Sequence, residues 1–271
     1  MNIKKEILKY YESGVEKDRL SKGFFQLERA RTQELILRYL KRAPLNILDV
    51  GGGAGFYSFW LSELGHNVYL VDPVEPNVQE AKNYSRKLGQ ELSGTYVGEA
   101  TQLKFDPGYF DVVLMMGPLY HLTEKSQRAK ALIEAYRVLA KKGLLIASGI
   151  SRYASMFNGF FEGFIVDQAF LRIMSKDLKT GQHRNPTPHA EYFTTSYFHK
   201  PEELSQEIEE AKFKVENLLA VESFGWLISD FNHRWKNEIF QNLLLSSIRQ
   251  VESDPSLLGI SAHLLCVGRK Y

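Results

Sequence analysis

The apolar positions of this chain change period along its length. In residues 1–40 they recur at helical spacing: Ile3, Ile7, Leu8 and Tyr11, then Leu27, Ala30, Leu35, Leu37 and Leu40. That spacing predicts two helices, broken at Ser21-Lys22-Gly23 and stopped by Pro44. Short apolar runs then alternate with helical stretches. Strands are predicted at 45–50, 67–71, 95–97, 110–116 and 144–150, with helices at 56–64, 76–88 and 125–141 between them. Gly65, Gly89 and Gly143 stand where those helices stop. Strand and helix in regular alternation mean a parallel sheet, and right-handed crossovers make it doubly wound.

From Ser151 to Lys200 the alternation ends. This stretch is rich in aromatics, and a long irregular segment inside a compact domain is expected to be a lid or binding insertion. The pattern resumes with a helix from Pro201 to Ala211, a strand at 213–221, a helix at 235–251 and a strand at 260–267. The expected fold is therefore α/β: a doubly wound, mostly parallel, seven-stranded sheet with helices on both faces, an N-terminal helical extension and a lid insertion after the fifth strand.

Composition narrows the classes. The chain has 271 residues, 44% of them hydrophobic and 13% aromatic, which suits a folded chain with a substantial core. A net charge of +2 makes no case for a nucleic-acid partner, although a local basic patch is compatible with it. The single cysteine, Cys266, lies between Leu265 and Val267 and reads as a buried thiol. Met1–Lys9 has no apolar leader pattern and no run is long enough to cross a bilayer, so a cytoplasmic protein without a membrane partner is expected.

The chemistry concentrates in Leu48-Asp49-Val50-Gly51-Gly52-Gly53-Ala54-Gly55, between the first strand and its helix. A glycine turn there lets backbone approach a ligand at the carboxyl end of the sheet. The dinucleotide pattern G-x-G-x-x-G/A fails, because its third small residue would fall on Phe56 or Ser58. A phosphate loop would need Gly-Lys-Ser/Thr, which is missing. What stands here is acid-x-Gly-x-Gly-x-Gly, built from Asp49, Gly51, Gly53 and Gly55. A carboxylate beside the turn repels a diphosphate and favours a ligand bearing positive charge. Asp72, at the end of the second strand, is placed about twenty residues on, where an acid accepts from ribose hydroxyls.

This pattern resembles motif I of the class I (Rossmann-like) S-adenosylmethionine (SAM)-dependent methyltransferases. Two more segments carry the resemblance. Gly98-Glu99-Ala100 is similar to the family's Gly-Asp-Ala segment, with Glu in place of Asp, and Phe110-Asp111-Val112-Val113-Leu114-Met115-Met116-Gly117-Pro118-Leu119-Tyr120-His121 is similar to its motif IV. The resemblance covers residues 45–150. It implies S-adenosyl-L-methionine as cofactor and S-adenosyl-L-homocysteine as product. Its cofactor residues would be Asp49, Gly51, Gly53, Gly55, Asp72, Glu99, Ala100 and Met116. Tyr11 and Arg19 would join them if the N-terminal helices fold over the cofactor, as in related enzymes.

Methyl transfer from a sulfonium is an in-line displacement, so alignment matters most, and a base is needed only where the acceptor carries a proton. His121 is the candidate base or orienting group, or it caps the helix beginning near Thr123; Tyr120 orients the acceptor or packs. Arg152, Tyr153 and Tyr192 are the candidate acceptor-binding residues of the insertion. His183 and His189 lack the companions a zinc site requires, so no metal is expected. The expected organisation is 1–42 over the cofactor cleft, 43–150 the SAM-binding core, 151–200 the lid and 201–271 completing the sheet. The acceptor is expected to be a small molecule; a modified tRNA nucleoside, or SAM binding without catalysis, are the alternatives.

Overall fold

In the computed structural model of the chain, residues 6, 7, 10, 20, 22–41, 43–89 and 91–271 are described. The elements run α1 (Phe25–Tyr39), β1 (Asn46–Val50), α2 (Phe56–Glu63), β2 (Asn67–Asp72), α3 (Glu75–Leu88), β3 (Gly94–Val97), β4 (Phe110–Met115), α4 (Pro118–His121), α5 (Lys125–Val138) and β5 (Leu139–Ser151). They continue with α6 (Ala154–Phe161), α7 (Gln168–Thr180), β6 (Gln182–His183), β7 (Ser196–His199), α8 (Pro201–Glu210), β8 (Lys214–Ala220), α9 (Phe231–Arg234), α10 (Glu238–Val251) and β9 (His263–Arg269). They form two units, one of residues 40–148, 204–217 and 266–271, the other of residues 1–39, 149–203 and 218–265.

In the first unit the strands bond in the order β3-β2-β1-β4-β5, every neighbour parallel. The strand sequences dictate this. Ile47, Leu48, Leu70, Val113, Leu114, Leu145 and Ile146 are wholly buried, and near-continuous apolar strands need cover on both faces. Parallel neighbours also need crossovers, which α2, α3 and α5 supply. Gly89 ends α3 in the left-handed conformation, at φ 65°, as the sequence implies. Helix α5 stops at Val138, short of the expected Lys141, because Leu139 already pairs with Phe110; the register then shifts so that Val112 faces Leu144.

Between α5 and α8 the same unit buries an ion pair. Arg128 donates to both carboxylate oxygens of Glu207, at 2.8 and 2.7 Å. Its other nitrogen donates to the carbonyls of Leu122 and Thr123, both at 2.9 Å. Each charge is thus matched as it leaves water, and the chain just beyond α4 is fixed in place.

The second unit holds regular elements where the sequence shows no alternation of strand and helix. Residues 151–200 form α6, α7, β6 and β7, and the end of β5 pairs in parallel with β7, Ile150 facing Phe198 and Ser151 facing His199. Strand β6 lies antiparallel to β7. Among the described residues nine strands therefore take part in pairing, not seven. Neither β6 nor β7 is long enough to show a period of two in sequence. Phe170, Ile173 and Tyr192 form a core here, with Phe164 and Met174 packed against it. Its polar tie is His183, whose Nδ1 is 2.7 Å from Asp177 and whose Nε2 is 2.9 Å from the Tyr192 carbonyl. A further core of Leu27, Phe231, Trp235, Leu244 and Ile248 joins α1, α9 and α10.

Helix α10 starts three residues after the Trp235 expected from sequence, because the Asn237 side chain caps it, accepting from the Phe240 N–H at 3.0 Å. Asn237→Ala is expected to cost about 1 kcal/mol, read as a lower urea midpoint at unchanged slope. Among the described residues no helix is long and apolar enough to cross a membrane.

Candidate functional site

The glycine turn leaves β1 and is stapled to β2. The N–H groups of Gly51 and Gly52 donate to the Val71 carbonyl at 2.7 and 3.4 Å, and the Gly55 N–H donates to the Gly52 carbonyl at 2.9 Å. Gly51 has φ 71°, and a Cβ there would stand 2.8 Å from Pro118 Cγ. Only glycine therefore lets the tail of β4 close against the turn. A Cβ on Gly52 would stand 2.7 Å from the Asp49 carboxylate. At Gly53 a Cβ would meet no heavy atom of the described residues within 4 Å, so among them the turn is open there.

Beneath the turn lies Asp49, 1% exposed. Its Oδ2 accepts the Ser58 hydroxyl at 2.7 Å. Its Oδ1 is buried and has no hydrogen-bond partner among the described residues. Burial pushes this carboxyl up to about 6; the charge of Asp72 adds to the rise and Ser58 opposes it. Asp72 is buried and braced from three sides. Its Oδ2 accepts the Gly53 N–H at 2.9 Å, while Oδ1 accepts from the Val74 N–H at 2.9 Å and the Asn77 side chain at 3.3 Å. Burial raises its pKa too, against those hydrogen bonds. Two carboxylates at one glycine turn, one with a buried oxygen left over, make a place that gains from a cation.

The other expected residues of this unit surround the strand ends. Gly98 donates to the Asp72 carbonyl at 3.1 Å, which ties the end of β3 to β2. Glu99 is exposed and Ala100 half-buried, in a tight turn that Gln102 closes onto the Glu99 carbonyl at 3.1 Å. Met116 is half-buried just past β4. Tyr120 and His121 lie on the single turn α4, their rings edge to face at 4.7 Å. Arg128 fixes the carbonyls that follow them. Helix α5 starts at Lys125 without a side-chain cap, so His121 does not cap it.

The acceptor-binding candidates all belong to the second unit. Sequence reasoning offered Arg152 to an anionic acceptor. Instead it is 3% exposed and donates to the Phe198 carbonyl at 2.7 Å, to Glu203 at 2.6 Å and to the Tyr197 hydroxyl at 3.2 Å. It is a tie between the end of β5, β7 and the start of α8. Tyr192 is part of the aromatic core, its hydroxyl donating to Asp167 at 2.8 Å. Tyr153 is half-buried, its ring against Gly259. Tyr11 and Arg19 lie outside the described residues.

Four residues with parts in this site carry no signal of their own in the sequence: Ser58, which holds Asp49; Asn77, which braces Asp72; Pro118, which closes on Gly51; and Arg128. Ser58 follows Asp49 by nine positions and is wholly buried, a polar residue on the inner side of α2.

The methyltransferase domain family matches residues 48–147. A ubiquinone biosynthesis O-methyltransferase of Caulobacter sp. (strain K31) is 32% identical over 109 residues, covering 40% of this chain and 42% of that protein. A glycine/sarcosine N-methyltransferase of Halorhodospira halochloris is 32% identical over 107 residues, covering 39% and 40%. The chain thus spans less than half the length of these curated relatives. The fold is shared with the 1,6-didemethyltoxoflavin-N1-methyltransferase of Burkholderia thailandensis, solved with bound 1,6-didemethyltoxoflavin and S-adenosylhomocysteine: TM-score 0.60 at 17% identity, covering 99% of this chain and 86% of that one. Residues 48–147, with their glycine turn and parallel sheet, match the methyltransferase domain family, and the chain shares its fold with a solved methyltransferase.

Proposed function

We propose that the chain binds SAM over the Gly51–Gly55 turn and moves its methyl group to a small-molecule acceptor. The observation that carries this reading is that, among the described residues, the buried Asp49 oxygen has no hydrogen-bond partner and the turn is open beside Gly53. The ammonium of the methionine part is the donor that oxygen lacks, and a diphosphate would be repelled by it. Asp72 has lone pairs beyond its three hydrogen bonds with which to accept from ribose hydroxyls. Glu99 and Ala100 are proposed for the adenine end, and Met116 for the wall beneath the methyl.

The bound cofactor would supply a methyl group made electrophilic by the sulfonium. What remains for the chain is to hold that methyl in line with an acceptor and to keep water away. His121 is the group proposed to orient the acceptor, or to take its proton where it has one to lose. The two curated relatives are named for transfer to oxygen and to nitrogen, so the acceptor is proposed as a small molecule by class.

Incubating the full chain with isotopically labelled SAM and a cell extract, followed by mass spectrometry, tests the activity. A labelled small molecule that depends on the protein supports the reading; a chain that binds SAM yet labels nothing would refute it. His121→Ala should lower turnover of that molecule by about tenfold with S-adenosylhomocysteine affinity unchanged. Ser58→Ala should weaken S-adenosylhomocysteine by about tenfold, one charged hydrogen bond's worth, and move the Asp49 titration upward, because Ser58 is what holds it down.

A further inference from the structure

Three residues far apart in sequence converge in the second unit. Glu28 on α1, Glu222 just after β8 and His263 at the start of β9 each offer one ligand atom, and these atoms all lie within 4.8 Å of one another. Glu222 is wholly buried and Glu28 is 7% exposed. His263 Nδ1 stands 2.6 Å from Glu222 Oε1 and 3.8 Å from Glu28 Oε2. A single N–H on that nitrogen serves the nearer carboxylate and is too far from the other for a hydrogen bond.

We propose that Glu28, Glu222 and His263 form a site for one divalent transition-metal ion, zinc being the ion that suits them best. Two carboxylate oxygens and one imidazole nitrogen are a zinc-type donor set, whereas magnesium and calcium take all-oxygen shells. The spacing is right. A tetrahedral ion with bonds of about 2.0 Å sets its ligand atoms about 3.3 Å apart, and the two distances from Nδ1 fall on either side of that value. The ligands are also held from behind, as metal ligands are. Glu222 Oε2 accepts the Ser261 hydroxyl at 2.8 Å and the His263 N–H at 2.9 Å, which leaves Oε1 presented to the cluster. The Ser261 oxygen is itself fixed by the N–H groups of Glu222 and Ser223, at 3.1 and 3.0 Å.

The His263 side chain, 17% exposed, leaves a route for the ion. The site clips α1 to the chain on either side of the β8–β9 connection. It is independent of the methyl-transfer reading, and the distances between residues 28, 222 and 263 explain why no sequence spacing announces it.

The test uses the full chain, free of tags and stripped of metal. Zinc is titrated by calorimetry, and cobalt(II) is followed by its visible absorption. The expected result is one ion per chain, with binding weakened about a hundredfold or more in His263→Ala and Glu28→Gln and unchanged in Cys266→Ser. Zinc should also raise the melting temperature of the wild-type chain and not that of Glu28→Gln, which keeps the shape of the side chain and so reports even if His263→Ala fails to fold. No uptake of either metal, or uptake that both substitutions leave intact, would overturn the proposal and make the cluster a histidinium held by carboxylates.

Discussion

Replacing Asp72 by alanine is expected to remove S-adenosylhomocysteine binding from the micromolar range, by about a hundredfold or more, and to cost about 3 kcal/mol of stability. Both effects come from one carboxylate. It accepts from Gly53 in the turn and from Val74 and Asn77 at the start of α3. Alanine orphans two backbone N–H groups, at about 1–3 kcal/mol each. Part of this is returned, because burial raises the Asp72 pKa and alanine abolishes that penalty. Asn77→Ala keeps both backbone bonds and should lose far less. Urea unfolding and calorimetry on the two variants check the ordering. An Asp72→Ala chain with wild-type stability and affinity would mean that the turn is shaped without it.

Asp49→Asn is expected to separate binding from stability. The neutral amide cannot match an ammonium, so affinity for S-adenosylhomocysteine should fall by about a hundredfold. Stability should not fall, and the sign follows from linkage. The fold raises this carboxyl from 3.8 to about 6. A group raised by folding stabilises most when protonated in both states, below about pH 4, and that contribution disappears as pH climbs through 6. At neutral pH the ionised, buried Asp49 therefore opposes folding, and asparagine relieves it. Cofactor affinity runs the other way. It should rise about tenfold per pH unit below 6 and level off near 7, as Asp49 ionises to meet its ligand. Titrations from pH 5 to 8 should show this slope in the wild type and not in Asp49→Asn. A flat wild-type profile would remove Asp49 from the cofactor site.

The first unit was legible because its signals are local. Apolar runs such as Ile47-Leu48 and Leu145-Ile146 mark strands, and a glycine turn after β1 marks the site. The second unit hid its strands, since β6 has two residues and β7 four, in a stretch where aromatics serve both the core and the strand. Arg152 and Tyr192 misled for a related reason. Residue type tells that a guanidinium or a hydroxyl will find a partner, but not whether it is a ligand or another part of the chain; here Glu203 and Asp167 take them. Ser58 and Arg128 carry no motif at all, and their contribution is visible only as hydrogen bonds to Asp49 and to the chain after His121.

The claim on which the rest stands is that the glycine turn with Asp49 accepts a cation-bearing nucleoside. Calorimetric titration of the full chain at pH 7.5 or above, about where Asp49 is ionised, puts it to the test with S-adenosylhomocysteine in one cell and NADH in another. The expected result is one S-adenosylhomocysteine per chain, with Kd on the order of micromolar, and no heat from NADH. Tight NADH binding, with S-adenosylhomocysteine giving none, would contradict it.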